Sequence, residues 1–115
     1  MSDIQDLTNK IIKFRDERDW KQFHNPKDLA LSLVLEAAEV LELFQWKSLE
    51  ETEKYLKENK SKVSEELADT LYWVLLMSHD LDIDIATELN KKMQVNEAKY
   101  PVEKSKSNHT KYNQL

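Results

Sequence analysis

The chain has 115 residues and a net charge of −5 at pH 7, enough length for one domain with its own core and an acidic body that disfavours polyanions. It contains no glycine and no cysteine, which excludes glycine-rich phosphate loops, disulfide frameworks, thiolate metal sites and cysteine nucleophiles. No apolar run reaches bilayer length and the N-terminus lacks a signal peptide's apolar core, so the expectation is a cytoplasmic protein that binds neither membranes nor nucleic acid polymers.

A glycine-free chain with only two prolines, Pro26 and Pro101, suits helices with polar caps. Ser2 with Gln5 forms a capping box, and Ile4, Leu7, Ile11 and Phe14 mark one face of a helix ending near Arg18. Asp19 to His24 reads as a polar and aromatic loop. Asn25 and Pro26 then start a second helix, as N-cap and first helical residue, which runs to about Phe44 or Trp46. Twelve of the sixteen residues from Leu29 to Phe44 are apolar, leaving Ser32, Glu36, Glu39 and Glu42 as a narrow polar stripe. Such a helix is buried on several sides, which in so small a chain points to a homo-oligomer. Ser48 and Glu51 box the start of a short charged helix to about Glu58, and a fourth helix runs from about Lys62 to Leu81. Asp82 or Asp84 caps a fifth, which Tyr100-Pro101 ends. The expected fold is all-α, a four-helix core with an extra short helix, in a single domain over residues 1–100. Residues 101–115 form a basic, extended tail.

Two acid pairs stand out within these helices. Glu36 with Glu39, and Glu66 with Asp69, each have i, i+3 spacing and so share a helix face. Lysines interleave with Glu50, Glu51, Glu53 and Glu58, which read as a solvated stripe. No cation lies at i±4 from Glu36 or Glu39, whereas Lys62 stands four residues before Glu66. Carboxylates in apolar surroundings need compensation. Four oxygen donors from two helices suit Mg²⁺ or Mn²⁺, although spacing alone leaves a structural acid network open. A di-iron carboxylate bundle needs Glu-x-x-His elements; none of His24, His79 and His109 follows a glutamate by three. Trp20, His24, Trp46 and Trp73 are either core aromatics or a platform for a base. Trp73 is the most suggestive, one turn beyond Asp69.

With both pairs in place, the chain resembles the MazG-like nucleoside triphosphate pyrophosphohydrolases, in particular their dCTP pyrophosphatase branch. The motif reads E36-A-A-E39, then E66-L-A-D69. Around it lie R18-D-W-K-Q-F-H24, L43-F-Q-W-K47, K92-M-Q-V-N96, K99-Y-P-V102 and K111-Y112. The branch often has tyrosine one turn after the aspartate; this chain has Trp73, with Tyr72 beside it. The resemblance implies an all-α dimer or tetramer that hydrolyses a nucleoside triphosphate between its α and β phosphates, with Mg²⁺ as cofactor. It implies Glu36, Glu39, Glu66 and Asp69 as metal ligands; a glutamate of the cluster free of direct coordination could take the attacking water's proton, with Glu39 the first choice. It further implies Trp20, His24, Trp46 and Trp73 around the base, and Lys92, Asn96, Lys99, Tyr100, Lys111 and Tyr112 as polar substrate contacts. The expected substrate is dCTP or a modified dCTP, in cleaning the nucleotide pool. The alternatives are a non-catalytic helical oligomerisation module, or the same fold acting on dUTP or a phosphoribosyl nucleotide.

Overall fold

A computed structural model describes residues 3–106 of the chain. Among these residues there are only helices, turns and short connections, in two compact units that divide between Asp82 and Ile83. The first unit contains α1 (Asp3–Glu17), a 3-10 turn (Lys21–Phe23), α2 (Pro26–Glu42) and α3 (Leu49–Asp80). The second contains α4 (Ile85–Lys99) and the four-residue α5 (Val102–Ser105).

The helix starts follow from their capping residues. Asn25 Oδ1 accepts the Asp28 N–H at 2.9 Å, with Pro26 at the first helical position. Ser48 Oγ accepts the Glu51 N–H while Glu51 Oε1 accepts the Ser48 N–H, both at 3.1 Å, closing the capping box of α3. Asp84, of the two aspartates considered, caps α4 by accepting the Thr87 N–H at 3.2 Å. Helices commonly end on a left-handed residue, usually glycine. Lacking glycine, the chain places Asp19 (φ 55°) just after α1 and Asp82 (φ 56°) just after α3; a short polar side chain tolerates that region better than most. The Ser2 capping box lies outside the described residues.

Three expectations change. The short charged helix and the fourth helix are one element, α3, of 32 residues, interrupted at Asn59 by non-helical backbone (φ −131°, ψ 31°). The Asn59 side chain donates to the Tyr55 carbonyl at 3.2 Å, so a local hydrogen bond competes with the helix at that point. The region expected as an extended tail begins with the helical turn α5. The buried face of α1 is also rotated from the one its apolar spacing suggests. Leu7 and Phe14 are each 41% exposed, whereas Thr8 and Arg15 are buried.

Within the first unit, α3 packs against both α2 and α1. Leu29 of α2 and Leu75 and Leu76 of α3 are fully buried, together with the side chain of Arg15 from α1. At 3.6 residues per turn, Leu29, Ser32, Glu36 and Val40 share one side of α2. All four are buried or half-buried. Leu31, Val34, Leu35 and Leu41 fall on other sides and are exposed.

Candidate metal and substrate site

The acid pairs sit at mid-length of α2 and in the second half of α3, the two helices that pack together. One carboxylate oxygen from each of Glu36, Glu39 and Glu66 lies within 4.8 Å of the other two. Glu66 is buried, Glu36 half-buried and Glu39 exposed. Lys62 reaches Glu66 Oε1 at 3.0 Å from one turn earlier, the i, i+4 pairing legible in the sequence. Glu66 Oε2 and Glu36 Oε2 are nevertheless buried with no hydrogen-bond partner. Asp69 is exposed and is not among the three acids that converge.

The electrostatics follow from crowding three acids. A hydrogen bond to Glu66, then the charges of Glu36 and Glu66, push the Glu39 carboxyl up from 4.5 to about 7. Glu66 moves the other way, held below the usual carboxylate range by its hydrogen bonds to Glu39 and Lys62. The two carboxyls thus shift in opposite directions, as neighbouring acids do when the charge of one opposes the charge of the other. Two buried carboxylate oxygens without partners, beside a carboxyl pushed upward by its neighbours, mark a site short of positive charge. Hard oxygen donors of this kind fit Mg²⁺ or Mn²⁺.

The aromatic candidates are less uniformly gathered. Trp73 is half-buried, and seven residues after Glu66 it lies on the same helical face about 10 Å further along α3. The His24 ring meets the Trp73 ring edge-on at 5.8 Å, and Tyr72 meets it from its other neighbour at 5.1 Å. Trp20 packs edge-on against Phe14 at 5.6 Å and is 42% exposed; Trp46, beyond the end of α2, is 87% exposed. His24 also lines an open cavity of about 280 Å³, with Lys21, Asn25, Leu29, His79 and Asp80. Lys92, Asn96, Lys99 and Tyr100 belong to the second unit, where the Tyr100 N–H donates to the Asn96 carbonyl at 2.9 Å. Lys111 and Tyr112 lie outside the described residues.

Sequence reading missed Arg15. Its guanidinium is 1% exposed, yet Nη1 donates to Asp80 Oδ2 at 2.6 Å and lies 3.5 Å from His24 Nδ1. Burial opposes the charge, but the hydrogen bond and charge of Asp80, helped by Asp16, raise the pKa of Arg15 above its ordinary value. The available signal was its register, four residues after Ile11 on the face that α1 buries. His79, for which no motif suggests a role, shares the cavity wall with His24.

Residues 31–115 match the model of the MazG-like family. The chain is 35% identical to rat dCTP pyrophosphatase 1 and 33% identical to the human protein of that name, in each case over 97% of this chain and 67% of the relative. Among solved structures, a pyrophosphatase from Archaeoglobus fulgidus superposes with a TM-score of 0.81 at 38% identity, covering 88% of this chain and 94% of that one. The all-α architecture, the acids brought together from α2 and α3 and these similarities agree: the chain belongs to the MazG-like family.

Proposed function

We propose that this protein is a Mg²⁺-dependent nucleoside triphosphate pyrophosphohydrolase, acting on dCTP or a modified dCTP and releasing the monophosphate and pyrophosphate. The observation that carries the reading is the convergence of Glu36, Glu39 and Glu66 with two buried carboxylate oxygens left without partners. A non-catalytic helical module gains nothing from three crowded acids, whose repulsion opposes folding. The base preference comes from the relatives named dCTP pyrophosphatase 1.

In this reading Glu36, Glu66 and Glu39 hold the cation, and Asp69 joins them from the next turn of α3. Bound Mg²⁺ would offset the triphosphate's charge and polarise the phosphorus under attack. Glu39, the exposed glutamate of the three, is the first choice to take a proton from the attacking water. Trp73 lies about 10 Å along α3 from Glu66, with the His24 ring against it. They are the favoured wall for the base, ahead of Trp20 and Trp46. Lys92, Asn96, Lys99, Tyr100, Lys111 and Tyr112 remain substrate contacts on the strength of the family motifs alone. The exposed leucines and Val34 of α2 favour a homodimer or homotetramer. No helix among the described residues is long and apolar enough to cross a membrane.

The deciding experiment incubates purified protein with dCTP, 5-methyl-dCTP, dUTP, dTTP and a phosphoribosyl nucleotide, with and without Mg²⁺, resolving products by anion exchange. Hydrolysis of dCTP to dCMP and pyrophosphate, abolished by chelation, is expected. Release of dCDP and phosphate, or no turnover of any nucleotide, refutes the reading.

A further inference from the structure

His24 stands between two kinds of neighbour. On one side is the buried Arg15–Asp80 ion pair, with Arg15 Nη1 3.5 Å from His24 Nδ1 and 2.6 Å from Asp80 Oδ2. On the other sides are the Trp73 ring and the open cavity. A guanidinium has donors only, so a ring nitrogen facing it has to present its lone pair. A neutral imidazole with its lone pair at Nδ1 carries its hydrogen at Nε2, which points away from Nδ1. The ion pair is itself well fixed. Arg15 is 1% exposed, Asp80 is 16% exposed, and together they tie the end of α1 to the end of α3.

We infer that Arg15, held by Asp80, locks His24 as the Nε2–H tautomer, and that Arg15 is thereby a positioning residue for base selection, the contact of His24 with the base being that of the proposed function. The inference rests on the proposed nucleotide pyrophosphohydrolase function. Cytosine presents adjacent acceptors at N3 and O2, whereas uracil and thymine carry a hydrogen at N3. A fixed donor that meets N3 therefore favours the former and opposes the latter, O2 being an acceptor in all three, and this is discrimination that stacking on Trp73 does not give because every base has a π-face. Arg15 and Asp80 are positioning residues in this scheme, and His24 is the contact. Burial, then the charge of Arg15, lowers the His24 pKa and keeps the ring neutral, against the opposing charge of Asp80. Lys21 and His79, which line the same cavity, add no negative charge to reverse this.

The test has one arm without substrate and one with it. Imidazole ¹⁵N spectra of metal-free protein, with His24 assigned by a His24→Gln variant, report the tautomer directly. The expected spectrum has a protonated Nε2 and an unprotonated Nδ1. Removing Arg15 alone leaves Asp80 without its partner, so the informative variant is Arg15→Met with Asp80→Leu, paired with Arg15→Lys and checked for helicity. In the double variant His24 is expected to become a mixture of tautomers. Its preference for dCTP over dUTP in kcat/KM is expected to fall about tenfold, the scale of one hydrogen bond. Arg15→Lys should retain part of that preference. A protonated Nδ1 in the wild type, or a tautomer unchanged in the double variant, overturns the role given to Arg15. A changed tautomer with an unchanged dCTP:dUTP ratio overturns selection by His24. If the wild type hydrolyses no nucleotide, the base-selecting role falls with the functional reading, while the spectra still decide whether Arg15 sets the tautomer.

Discussion

Glu66 shows what a single side chain contributes here. One of its oxygens is paired with Lys62 and the other is buried without a partner. An amide in its place would keep the volume and remove the charge. Glu66→Gln is therefore expected to leave helicity intact while weakening Mg²⁺ binding and activity by more than the roughly 10–100-fold that follows loss of a ligand's outer partner. Isothermal titration with Mg²⁺ and a pyrophosphate-release assay measure the two effects, and near-native values in both would remove Glu66 from the site. Glu39 makes a pH prediction for the metal-free protein. Its carboxyl is raised from 4.5 to about 7, so the folded state binds this proton more tightly than the unfolded one. That contribution to stability is full below about pH 4.5 and is lost as pH rises through about 7. Glu66, shifted downward, has the opposite sign: its contribution is present above its ordinary pKa and lost as pH falls. Urea midpoints of wild type and Glu39→Gln across pH 4.5–7.5 separate the two, and the variant is expected to lose the decline toward neutrality. Mg²⁺ binding should also release a proton below about pH 7, which calorimetry in buffers of different ionisation enthalpy detects.

At the scale of elements, most boundaries were legible because capping chemistry is local. Asn25-Pro26, Ser48 with Glu51, and Asp84 each start a helix for reasons contained within four residues. Ser48→Ala is accordingly expected to lower stability by about 1 kcal/mol with kcat/KM preserved, since the cap lies far along α3 from Glu66. Chemical unfolding alongside steady-state kinetics checks it, and a loss of activity without a loss of stability would contradict it. What was not legible depended on contacts between elements. The apolar residues Leu7 and Phe14 suggested one face of α1, but α3 packs against the face carrying Thr8 and Arg15. The buried arginine is chosen by Asp80, 65 positions away, a partner that no local pattern reveals. Likewise the spacing of 36, 39, 66 and 69 sets the pairs apart only through Lys62, four residues before Glu66. Only packing of α2 on α3 separates the three that converge from Asp69, which remains exposed.

At the scale of the whole molecule, the described residues leave a broad set of apolar side chains exposed on α2 and α3. Leu31, Val34, Leu35 and Leu41 of α2 are 51%, 63%, 64% and 59% exposed, and Leu67 and Leu71 of α3 add 55% and 42%. Within the described residues, only Leu29, Leu75 and Leu76 form the fully buried apolar core. Exposed apolar residues at helical spacing, rather than scattered singly, are what the proposed homo-oligomer would cover with another copy. Symmetry makes the same patch available on every copy, so a two-fold dimer is the simplest closed solution. Light scattering coupled to size exclusion is expected to give at least twice the monomer mass of 13.7 kDa at micromolar concentration. Val34→Glu places a charge on that surface, on the side of α2 away from Glu36. It is expected to shift the mass toward the monomer and to lower thermal stability in a concentration-dependent way, because folding and association are linked. A wild type that elutes as an active monomer would refute the assignment of this surface. A Val34→Glu protein with unchanged mass would instead move the interface to another face of the helices.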